Sequence, residues 1–225
     1  MPTTDVYSTS GKKLSKISLP KDIFAVEINK KLIAQAVKVY LSNQRQATAK
    51  TKSRSEINFS KRKIWKQKGT GRAPHGAKSA PIFVKGGRAH GPTGEQNYKL
   101  KLSQTMKKKA LASALTQKLK DNQLIVIKGL EKIKGKTKEM NKIVVMYQKQ
   151  ISSKNKKKKI RISIILPKVW ENVIRAGRNI PGLDFMQAKQ LNTYEVLNGG
   201  MLVFAKESIE ALKESPKSKI KTKKT

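Results

Sequence analysis

The stretch Lys63-Ile64-Trp65-Lys66-Gln67-Lys68-Gly69-Thr70-Gly71-Arg72 sits at the centre of an acid-free segment, Ile57 to Gly94. That segment holds nine Lys or Arg, two His and seven Gly, with no Asp or Glu. It has too few large apolar side chains to bury a core, and its charges repel one another. Such a segment is expected to take shape against something densely negative. The fold of the chain is therefore sought on either side of it, with this segment as an insertion.

On the N-terminal side, Val6-Tyr7 and Ile17–Leu19 read as short strands joined by a turn at Ser10-Gly11-Lys12. Asn29 opens a helix, and Leu32, Ile33, Ala36, Val37, Tyr40 and Leu41 form its apolar stripe. The stripe stops near Ser42, and from Gln44 to Lys99 no helical or strand period is sustained. A connection of this length inside a compact domain is expected only where the loop has a function of its own.

Periodicity returns at Ser103, where Met106, Ala110, Leu111, Ala114, Leu115 and Leu119 mark a second helix. Leu124-Ile125-Val126-Ile127 and Ile162–Leu166 read as buried strands, with a helix over Met140, Ile143, Val144, Tyr147 and Ile151 between them. A short helix over Val169–Ala176, a turn at Asn179-Ile180-Pro181-Gly182, a strand over Met201–Phe204 and a helix over Ser208–Glu214 follow. Apolar strands alternating with helices predict an α/β fold, Rossmann-like, with a mostly parallel sheet and flanking helices. The expected organisation is one α/β domain from residues 1–43 and 100–214, interrupted by an extended basic loop at 44–99. A basic tail at 215–225 and a solvated loop at Ser153–Lys159 complete it.

Charge sets the partner. The 225 residues carry 51 Lys or Arg against 14 Asp or Glu, a net +37. Self-repulsion on this scale opposes compaction and points to a polyanion, with nucleic acid ahead of an anionic membrane. No long apolar run and no basic amphipathic helix with aromatic anchors supports the membrane. Five of the eight arginines (Arg45, Arg54, Arg62, Arg72, Arg88) lie between positions 45 and 88. The guanidinium fork grips phosphate and stacks on bases, so the demanding contacts are expected there.

Other chemistries find little support. Cysteine is absent, which removes disulfides, thiolate zinc sites and thiol catalysis. His75 and His90 lie in the basic segment without nearby carboxylates, so neither a metal site nor a Ser/His/Asp constellation can be built from them. Gly129 to Thr137 imitates a phosphate loop, but five residues rather than four separate Gly129 from Gly135, and it reads as a strand-to-helix turn. Gly69-Thr70-Gly71 has Pro74 where a dinucleotide fingerprint needs its third glycine. These glycines serve unusual backbone angles or close approach to a ligand. No enzyme, cofactor or metal is expected. The N-terminus lacks the basic and apolar regions of a secretory signal, so a cytoplasmic location is expected.

Aromatics interleaved with Arg, Lys and Gly fit RNA, where rings stack on unpaired bases. Phe83 and Tyr98 read as anchors of the loop base, whereas Trp65, flanked by Lys63, Lys66 and Lys68, reads as a contact to RNA or a neighbouring protein. The candidate RNA-binding set is Arg45, Lys50, Lys52, Arg54, Lys61, Arg62, Lys63, Trp65, Lys66, Gln67, Lys68, Gly69, Thr70, Gly71, Arg72, His75, Lys78, Lys85, Arg88 and His90.

Residues 44–56 (Gln44-Arg45-Gln46-Ala47-Thr48-Ala49-Lys50-Thr51-Lys52-Ser53-Arg54-Ser55-Glu56) and 65–73, with Ser79-Ala80-Pro81-Ile82-Phe83 and Gly86-Gly87, strongly resemble the family of the fourth protein of the large ribosomal subunit. Arg178-Asn179-Ile180-Pro181-Gly182 and Leu191–Leu197 continue the resemblance, which spans roughly Val6 to Leu212. It departs at Asn58-Phe59-Ser60, where glycines are usual, and at Pro74, where a basic residue is usual. The resemblance implies a structural ribosomal protein whose long loop penetrates large-subunit ribosomal RNA. It places Lys66 to Arg72 at the loop tip, lining the peptide exit tunnel beside the nascent peptide and the neighbouring ribosomal protein twenty-two. A ribosome is the implied location, bacterial or organellar. The rival from another class is a free regulatory RNA- or DNA-binding protein.

Overall fold

The computed structural model describes residues 1–152 and 161–213, with side chains 148–152 and 213 set aside. The expected loop at Ser153–Lys159 and the tail from Ser215 lie outside these residues. Two compact units emerge: Met1–Lys38 with the described residues from Leu102 onward, and Val39–Lys101.

The first unit is α/β. Its strands are β1 (Thr3–Ser8), β2 (Lys13–Ser18), β3 (Leu124–Lys128), β4 (Ile162–Leu166), β5 (Leu183–Gln187) and β6 (Met201–Ala205). They form one sheet in the order β2-β1-β3-β6-β4-β5. Only the β1–β2 hairpin is antiparallel; every other pair is parallel. The helices are α1 (Lys21–Phe24), α2 (Lys30–Gln44), α3 (Gln104–Lys120), α4 (Thr137–Ser152), α5 (Glu171–Gly177), α6 (Thr193–Asn198) and α7 (Lys206–Lys213).

The central strands are mostly apolar because both faces of the sheet are covered; the exceptions are Lys128, exposed at the end of β3, and Ser163, whose hydroxyl donates to Gly199 O at 3.1 Å. Alternate side chains go to different cores. Leu124 and Val126 of β3, Ile165 of β4 and Leu202 and Phe204 of β6 join Phe24, Ile33, Leu115, Val196 and Ile209 from α1, α2, α3, α6 and α7. Ile127, Ile162, Ile164, Leu166, Met201 and Val203 join Met140, Ile143, Val144, Tyr147 and Val173 from α4 and α5. No residue of 39–101 belongs to either core.

Local signals explain the helix starts. Asn29 Oδ1 accepts from the Leu32 amide at 3.0 Å, and Ser103 Oγ from Met106 at 3.3 Å, each satisfying an orphan donor of the first turn. The segment after β3 is a 3₁₀ turn at Leu130–Lys132, with Gly129 and Gly135 at φ 88° and 77°, before α4 begins. It is the strand-to-helix turn expected from its spacing. Two larger elements were not legible in advance: edge strand β5 and helix α6, the latter capped by Asn192 Oδ1 accepting from the Glu195 amide at 2.9 Å.

Candidate nucleic-acid interface

Past the end of α2, residues 45–101 contain no helix or strand, yet their backbone is paired at defined points. Asn43 closes the base of the loop. Its Nδ2 donates to Leu100 O at 3.1 Å and its Oδ1 accepts from the Leu100 amide at 2.8 Å. Ser42 Oγ donates to Tyr98 O at 2.5 Å, and the Arg45 guanidinium lies 4.1 Å from the centre of the Tyr98 ring. That distance is within cation–π range, which is how Tyr98 anchors this end.

Above the base, two limbs run antiparallel. Lys50 bridges Thr93, the Thr51 amide donates to Pro92 O at 2.9 Å, and the Arg88 amide donates to Lys52 O at 2.9 Å. Glycines permit this approach. A β-carbon on Gly87 would lie 2.3 Å from Arg54 N, and one on Gly91 would lie 1.9 Å from Thr51 Oγ1. Glu56 steadies the first limb by accepting from the Ser53 amide at 2.8 Å and its hydroxyl at 3.2 Å. Those bonds, with the positive charges of Lys50 and Lys52, hold its carboxyl below the usual carboxylate range.

The far end is a smaller closed turn. Lys63 bridges Ala77, and the Ile64 amide donates to Gly76 O at 3.1 Å. The Trp65 indole N–H donates to Ala73 O at 3.1 Å. His75 meets the Trp65 ring edge-on at 5.3 Å and the Phe83 ring at 5.2 Å. Arg72 lies 5.6 Å over Trp65, and Lys63 Nζ donates to Gln67 Oε1. Gly69 and Gly71 hold φ of 85° and 60° with no heavy atom within 4 Å of an added β-carbon. Within the chain, then, they serve backbone angle and not close packing.

Lys66, Gln67, Lys68, Gly69, Thr70, Gly71 and Arg72 are all exposed on this turn. Arg45, Lys50, Lys52, Arg54, Lys61, Arg62, Lys63, Lys78, Lys85, Arg88 and His90 are exposed along the base and limbs. Of the candidate set, only Trp65 and His75 are half-buried, because their rings pack on each other. Over 39–101 there are fifteen Lys or Arg against Glu56 and Glu95. Among the described residues the one ion pair is Lys13–Asp5, at 2.6 Å and outside this unit. The unit's positive charge is therefore not neutralised from within. The buried residues of 45–101 are Ser79 and Gly87, so no large apolar side chain is fully buried there. Lys99 and Lys101 are exposed cations of the same unit that the candidate set omitted; the acid-poor run continuing past Glu95 was their only signal.

In the first unit, the start of α2 and one side of α3 flank an open groove of about 740 Å³ that includes Lys30, Lys31, Lys109 and Lys120 beside Glu27 and Asp121. Among the described residues no group of three or more His, Cys, Asp or Glu is placed to hold a metal, and no helix is long and apolar enough to cross a membrane.

The sequence profile described as "Ribosomal protein L4/L1 family" matches residues 17–215, which include the whole second unit. The chain belongs to that family. It is similar to the large ribosomal subunit protein uL4 of Clostridium novyi (strain NT), 34% identical over 95% of this chain and 98% of the relative. The protein of the same name from Natranaerobius thermophilus is 37% identical over 95% and 99%. That from Thermoanaerobacter sp. (strain X514) is 35% identical over 95% and 98%. The family identified from the loop and C-terminal motifs is thus the family found, and a structural, non-catalytic protein agrees with that membership.

Proposed function

We propose that this protein is a structural constituent of the large ribosomal subunit, located on a cytoplasmic ribosome, and that residues 44–99 bind large-subunit ribosomal RNA. The observation that carries the reading is the second unit itself: fifteen cations, all exposed and none in an ion pair, on a segment that buries no large apolar side chain beyond Val39. Such a surface gains most from displacing the counterions of a polyanion. Family membership and the relatives' names support ribosomal RNA as that polyanion.

The limbs present Arg45, Lys50, Lys52, Arg54, Lys61, Arg62, Lys63, Lys78, Lys85, Arg88 and His90 along their length, so they suit pinning RNA segments together. The turn at Lys66 to Arg72 is the part that would line the peptide exit tunnel, beside the nascent peptide and ribosomal protein twenty-two. Trp65 and His75 sit behind these cations. Residues 1–43 and 100–214 act as the folded α/β body from which the loop extends, followed by a basic tail at 215–225.

Co-sedimentation with large subunits in high salt, comparing the full chain with a variant lacking residues 57–94, tests the reading. The variant should keep a cooperative thermal transition, because both apolar cores lie outside 39–101. It should lose most salt-sensitive binding to ribosomal RNA. Undiminished, salt-insensitive binding by the variant, or absence of the full chain from the subunit fraction, overturns the proposal.

A further inference from the structure

We infer that Trp65, His75 and Phe83 are positioning residues, a three-ring latch that shapes the Lys66–Arg72 turn before any RNA is met. The inference rests on the reading that this turn is the RNA- and tunnel-facing tip. It assigns Trp65 a role different from base stacking.

Four observations converge. The turn is pinned at one level by the Lys63–Ala77 bridge and the Ile64 amide bonded to Gly76 O at 3.1 Å. One level further out, the Trp65 indole N–H is committed to Ala73 O at 3.1 Å, so it is not offered to a ligand. His75 stands between two rings, with centroids 5.3 Å from Trp65 at 79° and 5.2 Å from Phe83 at 58°. These separations lie within the range of attractive edge-to-face pairs. Finally, Arg72, the last residue of the turn, has its guanidinium 5.6 Å over Trp65, which fixes where that cation points.

The latch joins residues far apart along the loop. Trp65 precedes the turn, His75 follows it, and Phe83 belongs to the returning segment whose amide donates to Ala80 O at 3.2 Å. Seven residues between Trp65 and Ala73 are thereby closed into a ring of fixed span. A flexible turn of this size would lose conformational entropy on meeting RNA; a latched one has already lost it. Affinity then gains from preorganisation without any added contact. The three residues are ordinary in composition, and only their meeting shows this.

The experiment uses the full chain with Trp170→Phe, leaving Trp65 as the sole tryptophan. Acrylamide quenching of Trp65 and trypsin cleavage after Lys66, Lys68 and Arg72 are followed in the free protein. His75→Ala removes both ring pairs and should raise quenching and cleavage by at least about two-fold. His75→Phe keeps a ring and should restore the parent values, which separates positioning from general unfolding. The α/β unit's thermal transition should not move in either variant. With a large-subunit ribosomal RNA fragment, His75→Ala should weaken binding several-fold with the salt slope unchanged. Lys68→Ala should instead reduce that slope by about one phosphate's worth. Equal quenching and cleavage in parent and His75→Ala overturn the latch while leaving the RNA reading intact. Failure of the parent itself to bind the RNA, with quenching behaving as described, overturns the RNA reading and keeps the latch.

Discussion

Replacing Gly87 by alanine should unzip the stem of the loop without touching the α/β unit. The added β-carbon would fall 2.3 Å from Arg54 N, 2.5 Å from Arg54 Cα and 2.6 Å from Ser53 C. All three are backbone atoms, so no side chain can turn aside to make room. Restoring ordinary contact requires the limbs to part by about 1 Å. At that displacement the two bonds that cross between the limbs, from the Arg88 amide to Lys52 O and from the Thr51 amide to Pro92 O, each 2.9 Å, pass out of hydrogen-bonding range. Two such bonds contribute about 1 kcal/mol each, so the closed stem loses ~2 kcal/mol, or roughly 30-fold in its opening equilibrium. Hydrogen exchange of the full chain measures this: the Arg88 amide should exchange roughly 30-fold faster, with β3 and β6 amides unchanged. Gly76→Ala is the control, since an added β-carbon there meets nothing within 4 Å and φ is not positive. If Gly87→Ala leaves Arg88 protected as before, close approach does not hold the limbs and the stem reading is wrong.

Lys68→Glu should leave the melting curve of the isolated protein within about 0.5 kcal/mol of the parent, because Lys68 is exposed. It should nevertheless weaken RNA binding and lower its salt slope by at least about one phosphate contact. Lys118 is nearly buried at the end of α3, where its Nζ donates to Gly200 O at 2.7 Å and Gln123 Oε1 at 2.8 Å. Lys118→Met strands both acceptors and should cost about 1–3 kcal/mol in urea unfolding. Burial lowers the Lys118 pKa below 10.5, partly opposed by Asp121, so just below that pH the unfolded chain binds more protons. This group's contribution to stability therefore rises with pH through that window, and the rise should vanish in Lys118→Met. Burial, with a smaller contribution from neighbouring Tyr7, pushes the Tyr147 phenol up to about 12. Above its ordinary 10.0 the folded chain keeps a proton that the unfolded chain loses, so stability from this group falls as pH climbs towards 12. An ultraviolet phenol titration should show one late-ionising tyrosine that disappears in Tyr147→Phe.

The strands that were legible in the sequence are those whose two faces are both covered. Leu124–Ile127, Ile162–Leu166 and Met201–Phe204 are apolar runs, interrupted only by Ser163, because alternate side chains enter two different cores. Strand β5, Leu183-Asp184-Phe185-Met186-Gln187, escaped notice because it lies at the sheet's edge, paired only with β4, and of its five side chains only Leu183 is buried. Helix α6 is six residues long, too short for its period to show. In the candidate interface, composition picked out the cations but not their support. Nothing in Gly86-Gly87 or Gly91 alone says which strand of backbone will come within a β-carbon's radius. Lys99 and Lys101 were passed over because Glu95 marked an early end to the acid-free run.

By itself, the sequence determined the fold class and the surplus of positive charge between α2 and α3. These follow from local quantities: apolar periodicity, turn residues and charge density. The tertiary structure decided that β6 lies between β3 and β4, that two glycine-lined limbs form a stem, and that Trp65 faces His75 instead of solvent. Each of these joins residues distant in the chain, and close packing selects such pairs by shape, which a one-dimensional pattern does not encode.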